Sequence, residues 1–182
     1  MPSLPVYSVD DKVKTITFFN IKGGVGKTTL TVNTASKLVH LHPHAPKTLI
    51  IDLDAQASAT NYVFGPSSQE DFEKSGWTVY EMVSELVESY GEGRVDVTRY
   101  ARRAPEEWGR GLYLVPGSYS IMELEKEVFA GLGTWLLLMR RITSLLASHG
   151  FKYVFIDPPA SFGVLSRMAL RRVDLLHSPR GA

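Results

Sequence analysis

A chain of 182 residues, 44% apolar and 21% charged, is long enough for one buried core and has the balance of an ordinary globular domain. Its net charge of +1 excludes bulk charge as a reason to bind nucleic acid, leaving only local basic pairs at Arg102-Arg103, Arg140-Arg141 and Arg171-Arg172, which read first as solvated helix faces. The absence of cysteine excludes disulfides, iron–sulfur ligation and thiolate zinc and suits a reducing cytoplasm, and no apolar run approaches the roughly 20 residues of a bilayer span.

Residues 1–12, with Pro2 and Pro5 and no basic start before an apolar block, read as a flexible leader and not a secretory signal. Residues 13–182 then read as a single domain. "VKTITFFN" (13–20) is β-branched and aromatic and predicts a buried strand. From Thr28 to about Leu41 the spacing of Val32, Ala35, Leu38 and Val39 predicts a helix, stopped by the prolines of "HPHAP". "TLIIDLD" (48–54) is a near-continuous apolar run ending in acid, as in a central parallel strand. A short helix is expected within "AQASATNYVFG", then a polar loop over 66–75, and a helix over 77–91 carrying Val79, Met82, Val83 and Leu86. Residues 92–111 read as irregular, and "GLYLVPGS" (111–118) as a third strand. Helices are expected over 120–130 and 134–148, broken by Gly131 and Gly133. The second carries an apolar stripe of Trp135, Leu138, Met139, Ile142, Leu145 and Leu146. "KYVFIDPPAS" (152–161) predicts a fourth strand and a proline turn, residues 163–172 a helix, and "VDLLHS" (173–178) a last short strand.

Strands alternating with helices predict an α/β fold: a mainly parallel central sheet flanked by helices in three layers. Ligands of such sheets sit beyond the carboxyl ends of the strands. Three motifs fall there: the glycine loop, Asp52/Asp54, and Asp157.

The loop is "NIKGGVGKTT" (20–29). The usual phosphate-loop pattern has glycine where this chain has Ile21, and a second lysine, Lys22, follows. Gly23, Gly24 and Gly26 permit backbone angles that turn amides inward as an anion nest. The helix that follows adds unpaired amides and about half a positive charge. Lys27 suits the β- and γ-phosphates, and the Thr28 hydroxyl suits Mg²⁺. With Lys27 already resident, Lys22 is either a solvated surface lysine or a cation projecting outward to phosphates held by a facing copy, as arginine fingers do.

Asp52 and Asp54 end a strand. One acid can stand near the metal shell while the other holds an attacking water, because phosphoryl transfer needs positioning more than a strong base. Asp157 matches a second metal anchor, and Pro158-Pro159 would stiffen a segment able to sense the γ-phosphate. His40, His42 and His44 alternate, but they lie at a helix end beside prolines with no nearby acid, and no metal is assigned to them.

These residues resemble a known family. "KGGVGKTT" resembles the deviant Walker A box of the ParA/MinD superfamily of P-loop ATPases. "LIIDLDAQASATNYVFG" and "YVFIDPPASFGVLSRMAL" resemble the later motifs of ParA/Soj partition proteins, and "WTVYEMV" and "GLYLVPGSYSIMELEKEV" the segments between. The resemblance implies a P-loop NTPase-like fold and an ATPase using ATP and Mg²⁺. It implies that Lys22 contacts nucleotide across a sandwich dimer, and that Gly23, Gly24, Val25, Gly26, Lys27, Thr28 and Thr29 bind phosphate. Lys27 would serve the β/γ-phosphates and Thr28 the metal. Asp54 would position water, and Asp52 and Asp157 would support the metal. It also implies an ATP-dependent homodimer that binds DNA without sequence preference, a ParB-type activator, a cytoplasmic or nucleoid location, and a role in plasmid or chromosome segregation.

Family members continue beyond the point where this chain ends, "LLHSPRGA", so a C-terminally shortened member is expected. Rival readings are a regulatory or inactive nucleotide-binding remnant and a small-molecule kinase, which would leave Lys22 unexplained. A MinD-like membrane-cycling ATPase would end in a basic amphipathic helix that "HSPRGA" cannot form.

Overall fold

A computed structural model describes residues 13–42, 44, 46–89, 95–123, 132–161, 163–171 and 175–177. The expected leader, residue Gly131 and most of the expected helix over 120–130 lie outside the described residues, although residues 121–123 are helical.

The described strands are β1 (Lys14–Phe18), β2 (Lys47–Asp52), β3 (Arg102–Arg103), β4 (Leu112–Val115), β5 (Phe151–Asp157) and β6 (Leu175–His177). They form one sheet in the order β3-β4-β2-β5-β1-β6. Every pairing is parallel except the edge pair β3–β4. The helices are α1 (Lys27–Leu41), α2 (Ser58–Phe64), α3 (Ser68–Ser75), α4 (Val79–Glu88), α5 (Leu132–Ser148) and α6 (Val164–Arg171).

Alternation along the strands builds two apolar layers. Ile50, Phe155, Phe18, Leu112 and Leu114 face one side, where Val32, Ala35 and Val39 of α1 and Ala59 and Val63 of α2 cover them. Leu49, Ile51, Val154, Ile156 and Val115 face the other, against Met82, Val83 and Leu86 of α4, Leu138, Ile142 and Leu146 of α5, and Leu165 and Ala169 of α6. The expected stripes of α1, α4 and α5 are thus core, with Leu38 and Leu145 partly buried; the side chains of Trp135 and Met139 lie outside the described residues. Phe155 is among the largest fully buried side chains. Its truncation to alanine would cost about 3–5 kcal/mol.

Two elements differ from expectation. Residues 66–75, read as a polar loop, contain α3, whose "SQEDFEKS" has no apolar stripe. It is held instead by an edge-on Phe64–Phe72 contact, ring centroids 5.1 Å apart, and by polar side chains. Arg102-Arg103, read first as a helix face, is the antiparallel edge strand. The Arg102 guanidinium lies 4.2 Å from the centre of the Trp77 ring, a cation–π contact.

α4 begins at a capping box. The Thr78 hydroxyl accepts from the Tyr80 amide at 3.2 Å, and the Glu81 carboxylate accepts from the Thr78 amide at 3.1 Å. The parallel strands bring their carboxyl ends, Phe18, Asp52, Val115 and Asp157, to one edge, with Asp52 and Asp157 in register on adjacent strands.

Candidate functional site

The loop leaving β1 makes its turn on glycine. Gly24 has φ +73° and Gly26 has φ +85°, both in the left-handed region where a side chain is strained. No heavy atom lies within 4 Å of where a Cβ would stand on Gly23, Gly24 or Gly26. The space beside these glycines is open, and α1 starts immediately after Gly26, so its first unpaired amides lie at the end of the loop.

Lys27, the first residue of α1, is 8% exposed, and its Nζ donates to the Lys22 carbonyl at 3.4 Å. The resident cation thus lies across the loop. Lys22 is exposed, and its own amide donates to Asn20 Oδ1 at 2.9 Å. Ile21, which stands where the usual pattern has glycine, is 59% exposed. A side chain there meets no packing constraint.

Thr28 Oγ1 donates to Asp157 Oδ2 at 2.8 Å, and Thr31 Oγ1 to Asp157 Oδ1 at 3.2 Å. Because Thr28 directs its only proton at Asp157, its lone pairs remain for a cation, with the carboxylate behind as an outer-shell acceptor. Asp157 has no exposed surface, and burial pushes its carboxyl pKa upward; the Asp54 charge adds to the rise, against the Thr28 and Thr31 bonds and Lys27. Among the described residues no group of three His, Cys, Asp or Glu side chains could hold a metal. His40 Nδ1 pairs with the Ser36 carbonyl at 2.9 Å, and the His42 and His44 rings lie 5.9 Å apart.

Asp54 lies past the end of β2, half-buried. Its Oδ1 accepts from the Gln56 amide at 3.0 Å and its carbonyl from the Ala57 amide at 2.8 Å. Asp52, which the resemblance assigns to metal support, is bonded within the protein. It is wholly buried, and its Oδ2 accepts from the Thr60 amide at 2.9 Å and the Thr60 hydroxyl at 2.8 Å, while Oδ1 accepts from the Asp54 amide at 3.2 Å. Three of about four acceptor positions on that carboxylate are filled by the protein itself. Its pKa is raised by burial first and by the Asp157 charge second.

Thr31 and Thr60 escaped the sequence reading. Thr31 stands one turn after Thr28, on the same helix face, and that spacing could have revealed it. Thr60 joins Asp52 only through the return of α2, which no local spacing encodes.

The AAA_31 family model, described as an AAA domain, matches residues 13–179, nearly the whole chain. The chain belongs to the AAA_31 family, and the relatives it matches are ParA and Soj proteins. It is 26% identical over 90% of its length to a virulence plasmid ParA family protein of Chlamydia psittaci and covers 55% of that protein. It is 28% identical over 91% of its length to the sporulation initiation inhibitor protein Soj of Bacillus subtilis and covers 57% of it. A plasmid partition protein of Borrelia burgdorferi, solved bound to AMPPNP, superposes with a TM-score of 0.67 at 27% identity, over 92% of this chain and 62% of that one. Cobyrinic acid a,c-diamide synthase of Mycobacterium smegmatis, solved with an ATP analogue and magnesium, shares the fold at a TM-score of 0.71 and 23% identity. The chain spans about half the length of the curated ParA/Soj relatives it matches.

Proposed function

We propose that this chain binds ATP with Mg²⁺ and hydrolyses it as a ParA/Soj-type partition ATPase. One observation carries the reading: the Thr28 hydroxyl, at the end of a glycine loop with open space beside it, is bonded to a buried acid at the end of β5. In this reading the amides of Gly23 through Thr29, Val25 included, hold the phosphates. Lys27 neutralises the β- and γ-phosphates. Thr28 faces the metal, with Asp157 behind it and Asp52 further back. The ion, when bound, would neutralise charge shared between the phosphates.

Asp54 orients the attacking water, supported by a half-buried carboxylate whose turn is bonded at three points. Lys22 reaches phosphates held by a second copy, supported by its exposure on the outer side of the loop while Lys27 lies within. ATP thereby favours a homodimer, and hydrolysis resets it. A ParB-type activator, non-specific DNA and a cytoplasmic or nucleoid setting belong to the same reading. Among the described residues no helix is long and apolar enough to cross a membrane.

Phosphate release by the wild-type chain, with and without Mg²⁺ and across a range of protein concentrations, tests it. Magnesium-dependent release that steepens with concentration is expected. Nucleotide binding without turnover would leave a regulatory binder in its place.

A further inference from the structure

We infer that Asp52, Thr60 and the Gly117 amide form a buried clamp that positions Asp54, so that Thr60 acts as a positioning residue for hydrolysis. The inference rests on the hydrolytic reading above.

The donors converge on the Asp52 carboxylate. The Gly117 amide donates to Thr60 Oγ1 at 2.9 Å. Thr60 Oγ1 donates its single proton to Asp52 Oδ2 at 2.8 Å, and the Thr60 amide donates to the same oxygen at 2.9 Å. Asp52 Oδ1 then receives the Asp54 amide at 3.2 Å. A hydroxyl has one proton to give. Accepting from Gly117 therefore leaves that proton for Asp52 and fixes the rotamer of Thr60. Asp52, Thr60 and Gly117 are all buried, so water cannot substitute for any member.

The clamp joins three segments that meet nowhere in sequence: the end of β2, the first turn of α2, and the turn leaving β4. Packing holds it closed. A Cβ on Gly117 would stand 2.9 Å from the Ala57 Cα and 3.0 Å from the Asp52 Cγ, so only glycine lets this turn approach so near. The far side of that turn is pinned by α3, where Glu73 Oε1 accepts from the Ser118 hydroxyl at 3.0 Å and the Tyr119 amide at 2.7 Å. The Pro116 carbonyl accepts from the Val79 amide at 2.7 Å, tying the turn to the start of α4 as well.

The consequence falls on Asp54. Its carboxylate projects from a turn whose backbone is held at its amide by Asp52 and at its carbonyl by Ala57. Releasing the amide lets the turn shift, and a shift near 1 Å in a group that orients a reactant costs about 100-fold in rate. Phosphate affinity should not follow, because the cradle is built from the β1–α1 loop, where Lys22, Lys27 and Thr28 bond to Asn20, the Lys22 carbonyl and Asp157 and not to a member of the clamp.

Thr60→Val keeps the shape and removes the hydroxyl; Thr60→Ser keeps the hydroxyl. Two readouts are compared with the wild type: kcat and KM for ATP, and hydrogen exchange of the Asp54 and Gly117 amides without nucleotide. Thr60→Val is expected to lose about 10- to 100-fold in kcat with KM within about twofold, and to speed exchange at both amides while α1 amides stay unchanged. Thr60→Ser is expected to restore both. Equal losses in kcat and affinity, unchanged kcat in Thr60→Val, or exchange that rises throughout the molecule would each overturn the clamp. Should the wild type itself not hydrolyse ATP, the hydrolytic reading fails, and the exchange pattern still decides whether Thr60 holds the Asp54 amide.

Discussion

Thr28 and Asp157 stand 129 positions apart in the chain, and their oxygens meet at 2.8 Å. One opens α1 and the other closes β5; parallel pairing of β1 with β5 brings them together. The Asp157 carboxylate is buried and, among the described residues, takes its donors from Thr28 and Thr31, so losing one leaves a carboxylate oxygen short of a partner. Thr28→Val should therefore lower stability by about 1–3 kcal/mol and abolish the Mg²⁺ dependence of nucleotide binding. Thermal unfolding and nucleotide titrations with and without Mg²⁺ check both effects.

The two buried acids set the pH dependence. Burial raises the pKa of both, and Asp157, the lower of the pair, ionises first and raises Asp52 further by repulsion. From the ordinary carboxylate pKa of about 4 upward, the folded state thus binds more protons than the unfolded one. The nucleotide-free protein should lose stability as pH rises from 4 toward neutrality, opposite to a salt-bridged acid. Mg²⁺ with nucleotide should reverse part of that loss, because a cation favours ionised Asp157. Melting curves at pH 5 and pH 8, with and without Mg²⁺ and an ATP analogue, measure the sign directly.

Much of this was legible in sequence, for a physical reason. β2 and β5 are covered on both faces, so their apolar runs are continuous, and α1, α4 and α5 each present a face to the sheet. The glycine loop was legible because its glycines and lysine serve a local backbone conformation. α3 was not, because its anchoring is polar and distant: Gln69 Nε2 donates to the Ala55 carbonyl at 3.2 Å, and Glu73 reaches Ser118. What sets Asp52 apart from Asp54 was not legible, because the Thr60 that bonds Asp52 returns on α2 and no local spacing encodes it.

Gly117 is a packing requirement. Gly117→Ala would place its Cβ 2.9 Å from Ala57 backbone, where no flexible end can yield. A loss of about 1–3 kcal/mol is expected. Chemical denaturation should show a lower midpoint with an unchanged slope.

Lys22→Ala should leave nucleotide binding within about threefold, because Lys27 remains in the loop, and should cut turnover by roughly 10³-fold or more if Lys22 serves as a cation in trans. Adding an Asp54→Ala chain, whose own Lys22 is intact, should restore turnover to Lys22→Ala subunits within mixed dimers. Phosphate release from the mixture checks the trans assignment; normal turnover by Lys22→Ala at every protein concentration would make it a surface lysine.

The most direct measurement is calorimetric titration of ATP into the wild-type chain with Mg²⁺, repeated with Asp54→Ala. One nucleotide per chain, bound more tightly with Mg²⁺ and equally well by both proteins, with phosphate released only by the wild type, is the expected result. No heat from well-folded wild type, or equal phosphate release by Asp54→Ala, would contradict it.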